Sequence, residues 1–468
     1  MFCDKIRYVV KKVSRTKAVS FEEQHEKMLN TPIPKLVTSL SVPTALAQLI
    51  TVIYNTADTW FVSKISTSAS AAVGVVFSVM SIIQAIGFGI GMGTGSRISV
   101  LLGEKKNDEA EKYTASGMAM ALVMGVLVGA AGLFCMKPLL LLVGSTDTIL
   151  PYACDYATFI FLNAPVMCCS FVLSNVLRAE GEATYASVAL CTGGIVNMIL
   201  DPVFIFVMGW GTAGAAGATA ISQIVGFLLL LSAYLRGRSM IKLNLRKASK
   251  DIHDYFKIIT IGFPTICRQS LGSIATALLN GQASVYGDAA IAAVTIATKV
   301  YMLIRNLVIG IGQGFQPVAG YNFGAGDKKR TGRAFLFACA VGSAFCLVFA
   351  LLTGIFSESI ITWFRDDAEV VEVGKVMLGV FAFSIPFMAF STYVNQMYQC
   401  LGFRTVATLL ASCRQGIFFI PVLFVSTHFW GLGGVQITQG AADILTFIVS
   451  VPFCIYFFKK HLKTEKAE

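Results

Sequence analysis

Long apolar stretches alternate with short polar stretches along most of this chain. Twelve of the apolar stretches are long enough to cross a bilayer as a helix, which takes roughly 20 residues. They are too long for barrel strands, and a lone sheet cannot satisfy its backbone hydrogen bonds in lipid. The pattern therefore predicts an all-α polytopic membrane protein with twelve transmembrane helices, spans 1 to 12, near residues 37–63, 69–102, 114–136, 151–178, 184–208, 213–235, 255–280, 289–320, 333–356, 371–400, 405–427 and 433–457.

The two halves of the chain repeat each other at an offset of 221 residues. Gly-Ile-Gly-x-Gly occurs at 89–93 and again at 310–314, and Pro-Thr at 43–44 recurs at 264–265. Six spans in each half make both halves enter the membrane in the same direction. This predicts two six-helix lobes related by a parallel pseudo-two-fold axis, with a substrate site between them. The expected parts are an N-terminal tail (1–35), an N-lobe (36–236), a linker (237–254), a C-lobe (255–458) and a C-terminal tail (459–468).

Composition and charge agree with a membrane protein. Only 13% of the residues are charged, against about 25% in soluble domains. The net charge of +11 comes from both tails and the connecting loops, so it indicates neither a nucleic-acid-binding face nor a nucleic-acid partner. If the N-terminus is cytoplasmic, 28 Lys and Arg lie in or beside the inner segments and 3 in the outer loops. We therefore expect a multi-pass protein of the plasma membrane, the inner membrane in a bacterium, with both termini cytoplasmic and no cleaved signal peptide.

Two acidic residues stand out because they lie inside apolar spans of the N-lobe. Asp201 follows Asn197 by four residues, which places both on one helix face, and Pro202 then interrupts the backbone hydrogen bonds. Asp58 lies in span 1. The repeat places Leu279 opposite Asp58 and Val422 opposite Asp201, so the acids belong to one lobe alone. Because a charge in a bilayer is costly, both acids are candidate functional residues, although packing alone could explain a capped aspartate.

Helix geometry places further polar residues at the depth of these acids. Counted from the span ends, Asp58, Asp201, Thr219 and Tyr156 all lie about 7–11 Å below the outer surface. Asn197 lies one turn deeper, and Tyr54 and Asn55 lie one turn below Asp58. Such a group can share a proton or hold Na⁺ through Asp58, Asn197, Asp201 and Thr219, and the sequence does not separate the two ions. No other cofactor is expected.

The C-lobe carries its own charges within its spans. For these residues a structural ion pair and a contact with substrate are equally open, and Asp443 could pair with one of the cations. The four histidines lie apart from the acids, so no nucleophile–base pair of an enzyme emerges. The glycine runs follow no strand and lack Lys-Ser/Thr, which argues against a phosphate site and favours close helix packing. These charges are Arg268, Lys299, Arg305, Arg414 and Asp443.

Several motifs together resemble the multidrug and toxic compound extrusion (MATE) family, over residues 30–460. The resemblance implies a V-shaped cavity between two lobes and alternating access driven by H⁺ or Na⁺. It places Asp58, Asn197, Asp201 and Thr219 on the cation site of the branch that couples through its N-lobe. Another branch uses acids of spans 7 and 10, where this chain has Arg268-Gln269 and Asn395-Gln396. The motifs are Tyr54-Asn55-x-x-Asp58-Thr59, Gly103-Glu104-Lys105-Lys106, Leu177-Arg178-Ala179-Glu180-Gly181, Asn197-Met198-Ile199-Leu200-Asp201-Pro202 and Gln313-Gly314-Phe315-Gln316-Pro317.

The resemblance implies an antiporter that exports amphipathic, cationic drugs or other toxic organic compounds, acting as a monomer among membrane lipids. The alternative is a flippase for lipid-linked precursors of the same superfamily. A major-facilitator transporter would usually carry an Asp-Arg-x-Gly-Arg loop after span 2, where this chain has GEKKNDEAEK. The candidates for the substrate cavity are polar residues of spans 1, 7, 8 and 10, namely Tyr54, Asn55, Gln48, Gln269, Arg268, Gln313 and Asn395.

Overall fold

The computed structural model describes residues 21–461, which form helices joined by turns. Eleven of the helices in this part of the chain are long and apolar enough to cross a membrane. The twelfth, Ile252–Ala283, is equally long but more polar. Spans 1 to 12 are Ile33–Ser63, Thr67–Gly103, Asn107–Phe134, Leu150–Ala179, Ala183–Val207, Gly211–Leu235, Ile252–Ala283, Asp288–Gly324, Lys328–Ile355, Ala368–Cys400, Arg404–Trp430 and Leu432–His461.

Each half of the chain packs as a six-helix lobe with the same helix neighbours. In the N-lobe, span 4 packs against spans 2, 3 and 6, and spans 5 and 6 pack together. In the C-lobe, span 10 packs against spans 8, 9 and 12, and spans 11 and 12 pack together. The two lobes meet through span 1 against span 8 and span 2 against spans 7 and 8. Spans 1 and 7 are repeat partners, as are spans 2 and 8, so the contact of span 1 with span 8 is matched by that of span 7 with span 2. This symmetry confirms the predicted parallel two-fold repeat.

Glycines make the interface between the lobes, and they do so symmetrically. A Cβ on Gly103 would collide with the carbonyl oxygen of Tyr321. A Cβ on Gly324 would collide with the carbonyl oxygen of Val100, which is the repeat partner of Tyr321. A side chain at Gly262 would likewise collide with span 2. The close packing expected from the glycine runs is confirmed, because only a residue without a Cβ fits these helix crossings.

These contacts lie at one end of the molecule, called the inner end, which carries the linker and the first described helix. Ser41 Oγ donates to the Ile311 carbonyl oxygen at 2.8 Å, and Gln48 Nε2 donates to Gln313 Oε1 at 3.4 Å. Ser41, Ile311 and Gln313 lie in the inner halves of their spans, and Gln48 lies at the middle of span 1. These described contacts between the lobes therefore lie toward the inner end.

All four tryptophans of the chain lie at the outer end, on the surface. Trp60 and Trp430 are close to the outer ends of spans 1 and 11, and Trp210 lies between spans 5 and 6. Trp363 belongs to the short helix Ser357–Phe364 between spans 9 and 10. Each exposes more than half of its surface. Tryptophans in this arrangement are typical of a membrane–water boundary.

A short helix, Phe21–Asn30, precedes span 1 and is called the N-terminal helix below. Gln24 Nε2 donates to the Glu180 carbonyl oxygen of the N-lobe at 2.8 Å. His25 Nδ1 lies 2.7 Å from the Tyr321 hydroxyl of the C-lobe. The sequence predicts only a tail here, because the segment is polar and its order comes from contacts with both lobes. Residues 1–20 and 462–468, also predicted as tails, lie outside the described residues.

The linker between spans 6 and 7 is extended apart from a single 3₁₀ turn at Leu245–Lys247. Arg238 forms an ion pair with Glu182 at 2.9 Å, and the hydroxyl of Ser239 donates to the buried carboxylate of Glu180 at 2.7 Å. Lys247 pairs with Glu111. The basic residues of the linker thus bind acids at the inner end of the N-lobe.

Candidate functional site

The N-lobe brings its two intramembrane acids into one buried cluster near the outer end. Asn197 and Asp201 share a face of span 5, and Asn197 Nδ2 donates to Asp201 Oδ1 at 3.0 Å. Immediately after Pro202 the helix widens into a π-helical turn, Val203–Val207. Proline supplies no amide hydrogen, so the ordinary helical ladder cannot continue past it unchanged. The backbone irregularity predicted beside the acid is present.

Each of the two acids is hydrogen-bonded to polar neighbours within the cluster. The Tyr156 hydroxyl donates to Asp58 Oδ2 at 3.0 Å. Asn197 Nδ2 also donates to Thr219 Oγ1 at 3.2 Å, and Asp58 lies close enough to Asp201 for its charge to act on that acid. All five side chains are less than a tenth exposed. The structure therefore places every residue of the predicted cation group in one cluster, drawn from spans 1, 4, 5 and 6.

This cluster has more hydrogen-bond acceptors than donors. Asp58 Oδ1, Asn197 Oδ1 and Asp201 Oδ2 are buried and accept no hydrogen bond from the described part of the chain. Buried polar atoms are nearly always paired, since an unpaired one costs about 1–3 kcal/mol. Three oxygens of this kind suit a proton, or a hard cation such as Na⁺. The atoms available to bind an ion are all oxygens, and hard cations prefer oxygen ligands.

The residues predicted for the substrate cavity fall into four places. Tyr54 is half-buried and packs its ring against Gly194 of span 5, below the acids. Arg268 and Gln269 are half-buried in the middle of span 7. Asn395 is buried, and its Nδ2 donates to the Ala407 carbonyl oxygen at 2.5 Å, which ties span 10 to span 11 within one lobe. Asn55, the remaining candidate in the outer half of span 1, is also half-buried.

Gln48 and Gln313 meet instead at the inner junction of the lobes. Gln313 Oε1 also accepts a hydrogen bond from Arg178 Nη1 at 3.1 Å. Arg178 and Gln313 line a small cavity with residues of spans 2, 4 and 8. This amide and guanidinium contact crosses between lobes, so it must break for the inner end to open.

A second buried cluster lies in the C-lobe, around Asp443. Arg414 Nε donates to Asp443 Oδ1 at 2.8 Å, and the Tyr301 hydroxyl donates to Asp443 Oδ2 at 2.6 Å. Gln439 Nε2 lies 3.2 Å from Asp443 Oδ1. The expected pairing of Asp443 with a cation is confirmed, and the partner is Arg414. Sequence reasoning missed Tyr301 and Gln439, although Gln439-x-x-x-Asp443 has the amide–carboxylate spacing of Asn197-x-x-x-Asp201.

Known proteins resemble this chain along nearly its whole length. The "Multidrug export protein MepA" of Staphylococcus saprophyticus is 27% identical over 432 residues, which is 92% of this chain and 94% of that protein. Its namesake in Staphylococcus haemolyticus is 26% identical, over 92% of this chain and 95% of that protein. The solved structure described as "Outward-facing conformation of a multidrug resistance MATE family transporter of the MOP superfamily" superposes with a TM-score of 0.88 at 24% identity, covering 95% of this chain and 99% of that one.

The family model named MatE matches twice, at residues 43–203 and at 264–425. Each match lies within one lobe, so the family's pattern follows the internal repeat. The matched residues make up more than half of the chain. The chain therefore belongs to the MatE family, whose members are transporters and not enzymes.

Proposed function

We propose that this transporter is an antiporter, which exports amphipathic organic cations in exchange for H⁺ or Na⁺ bound at Asp58 and Asp201. The proposal rests above all on the three buried oxygens of Asp58, Asn197 and Asp201 that have no donor in the described chain. The names of the relatives, multidrug export proteins, support export of drugs as the task. They do not favour the flippase alternative.

The proposed cycle needs the ion to distinguish two states of the protein. A bound ion drives a conformational change only through a difference in its affinity for the two states. Asp58 and Asp201 lie on different helices, spans 1 and 5, so a change in the position of span 1 alters the coordination of the ion. Each bound H⁺ or Na⁺ cancels one negative charge of the two acids, which weakens their attraction for a cationic drug. Ion entry and drug release are thereby coupled.

The proposed orientation places the inner end in the cytoplasm. This follows from the distribution of Lys and Arg, 28 against 3, and accords with the tryptophans at the outer end. In this proposal the V-shaped cavity of the family, the cleft between the lobes, opens to the outside and the acids face incoming ions. A reporter fused after Glu468 should be active only in the cytoplasm, and activity on the outer face would reverse the assignment.

Purified protein in liposomes tests the coupling directly. A pH gradient without Na⁺, or a Na⁺ gradient at equal pH, is imposed, and transport of the cationic dye rhodamine 123 is followed. Asp58→Asn and Asp201→Asn should each abolish gradient-driven transport. Asp155→Asn is the matched control, because Asp155 precedes Tyr156 but is exposed. Full transport by the double variant Asp58→Asn/Asp201→Asn at normal abundance would refute the N-lobe mechanism.

A further inference from the structure

The C-lobe contains a small cavity that the proposed ion exchange does not use. Its walls come from spans 7, 8, 10, 11 and 12 and combine aromatic surface with polar side chains. Leu279, the repeat partner of Asp58, is one of the lining residues, so the cavity lies in the C-lobe region equivalent to the acid cluster. The lining residues used below are Thr298, Arg305, Phe381, Gln415 and Phe419.

Arg305 lines this cavity, and Arg268 lies beside it. The Arg305 guanidinium reaches Gly272, which is one helical turn from Arg268 on the same face of span 7. Arg305 Nε and two nitrogens of Arg268, Nε and Nη1, are buried without an acceptor in the described residues. A guanidinium carries only donors. These nitrogens therefore call for a group that brings acceptors.

No carboxylate of the described residues is free to neutralise the two arginines. Asp443 is the acid whose charge acts on Arg305, and it already accepts hydrogen bonds from Arg414 and Tyr301. The charged groups that act most strongly on Arg268 are the guanidinium groups of Arg305 and Arg414. Three guanidinium groups thus share one carboxylate. The wall of this cavity keeps an excess of positive charge close to the middle of the spans.

We propose that this C-lobe cavity binds an acidic group of the transported compound, a carboxylate or sulfonate, through Arg268 and Arg305. Phe381 and Phe419 give the adjoining aromatic part of the compound an apolar surface. Thr298 Oγ1, buried without a partner in the described chain, and Gln415 supply further polar contacts. The inference deepens the proposed export function and rests on it, since it extends the cargo from cations to zwitterions.

A lipid phosphate would supply the same hydrogen-bond acceptors, but the depth of Arg305 in the membrane argues against it. Arg305 is the eighteenth of the 37 residues of span 8, so it lies close to the middle of the membrane. Lipid headgroups lie at the two surfaces, roughly 15 Å away. A compound that has entered the cleft reaches this depth, whereas a headgroup of the surrounding bilayer does not.

Two dyes that differ at a single position test the inference. Rhodamine 110 carries a free carboxylate, and rhodamine 123 is its methyl ester. Their binding to the purified full chain in neutral detergent is measured by fluorescence anisotropy, without any ion gradient. The chain should bind the acid about tenfold more tightly than the ester. Arg305→Gln and Arg268→Gln should each remove that preference and leave the affinity for the ester unchanged.

Lys299→Gln is the matched control, because it removes one positive charge from an exposed position of the same span. It should keep the preference for the acid. The inference is overturned if the unsubstituted chain shows no preference, if neither dye binds, or if both arginine variants keep the preference. Suppression of the preference by added phosphatidylglycerol would assign the arginines to lipid instead. Loss of gradient-driven transport with this binding intact would contradict only the proposed coupling.

Discussion

The ion pair between Arg414 and Asp443 should act as a structural unit of the C-lobe. Asp443 is fully buried, and only 9% of the Arg414 side chain is exposed. Arg414→Gln leaves a buried carboxylate without its cation. Removing one partner of a buried pair typically costs about 3–5 kcal/mol, whereas replacing both partners with neutral groups is far less harmful.

The expected result is a double variant that is more stable than either single variant. Arg414→Gln and Asp443→Asn should each lower the free energy of unfolding by about 3–5 kcal/mol. The double variant Arg414→Gln/Asp443→Asn should lose less than about 2 kcal/mol, because two amides can still hydrogen-bond to Tyr301 and Gln439. The free energy of unfolding is measured by titrating the protein in mixed micelles with SDS while tryptophan fluorescence is recorded.

Transport separates this structural role from a role in coupling. If Asp58 and Asp201 carry the ion, the double variant of Arg414 and Asp443 should still transport rhodamine 123 against an imposed gradient, per molecule of folded protein. A double variant as unstable as the single ones would refute the pairing argument. A stable double variant that has lost gradient-driven transport would place Asp443 in the coupling mechanism.

Three further perturbations test the lobe interface, the N-terminal helix and the acid cluster. Gly262→Val should lower the population of the state closed at the inner end about tenfold. A cysteine placed at that interface should then react faster with a thiol reagent. Gly281→Val is the control and should have no such effect, because Gly281 has open space around it. Burial lowers the pKa of His25, so protonation of His25 favours release of the N-terminal helix from the lobes. A spin label on this helix should become more mobile as the pH falls through and below about 6.5. The same pH profile in His25→Gln would refute this prediction. Thr219→Val should slow ion-driven transport about tenfold, because one of the two amide hydrogens of Asn197 loses its acceptor while the other still bonds to Asp201. Thr219→Ser should restore transport.

The sequence predicts the helices and the repeat well, because both depend on local patterns. Hydropathy alone locates the spans, and the glycine runs mark where helices cross. The glycine run in span 2 specifies contacts with two different helices. Gly87, Gly91 and Gly95 meet span 4, whereas Gly89 and Gly93 meet span 7. Positions four apart share a helix face, so alternate glycines serve two different neighbours.

The remaining features depend on contacts that the sequence does not specify. The N-terminal helix has a polar sequence and is held by Glu180 and Tyr321, which lie 156 and 296 residues from their partners. The acid cluster could be predicted because span depth places its members at one level. The substrate-cavity candidates could not be sorted in this way, since Asn395 and Gln313 are equally polar in sequence. Asn395 hydrogen-bonds within the C-lobe, whereas Gln313 hydrogen-bonds across the interface between the lobes.

Span 1 connects the acid cluster to the lobe interface. Its inner half contacts span 8 through Ser41, and its outer half carries Asp58. The hydroxyls of Thr51 and Thr56 bond back to the carbonyl four residues earlier, a pattern that bends helices easily, and Pro43 removes one backbone hydrogen bond. A change at Asp58 can therefore reach the interface about 25 Å away through a single flexible helix. The C-lobe counterpart of Asp58 is Leu279, so span 7 has no such charge to respond to. The two lobes share one scaffold, and in the proposed mechanism only the N-lobe converts ion binding into movement of its first helix.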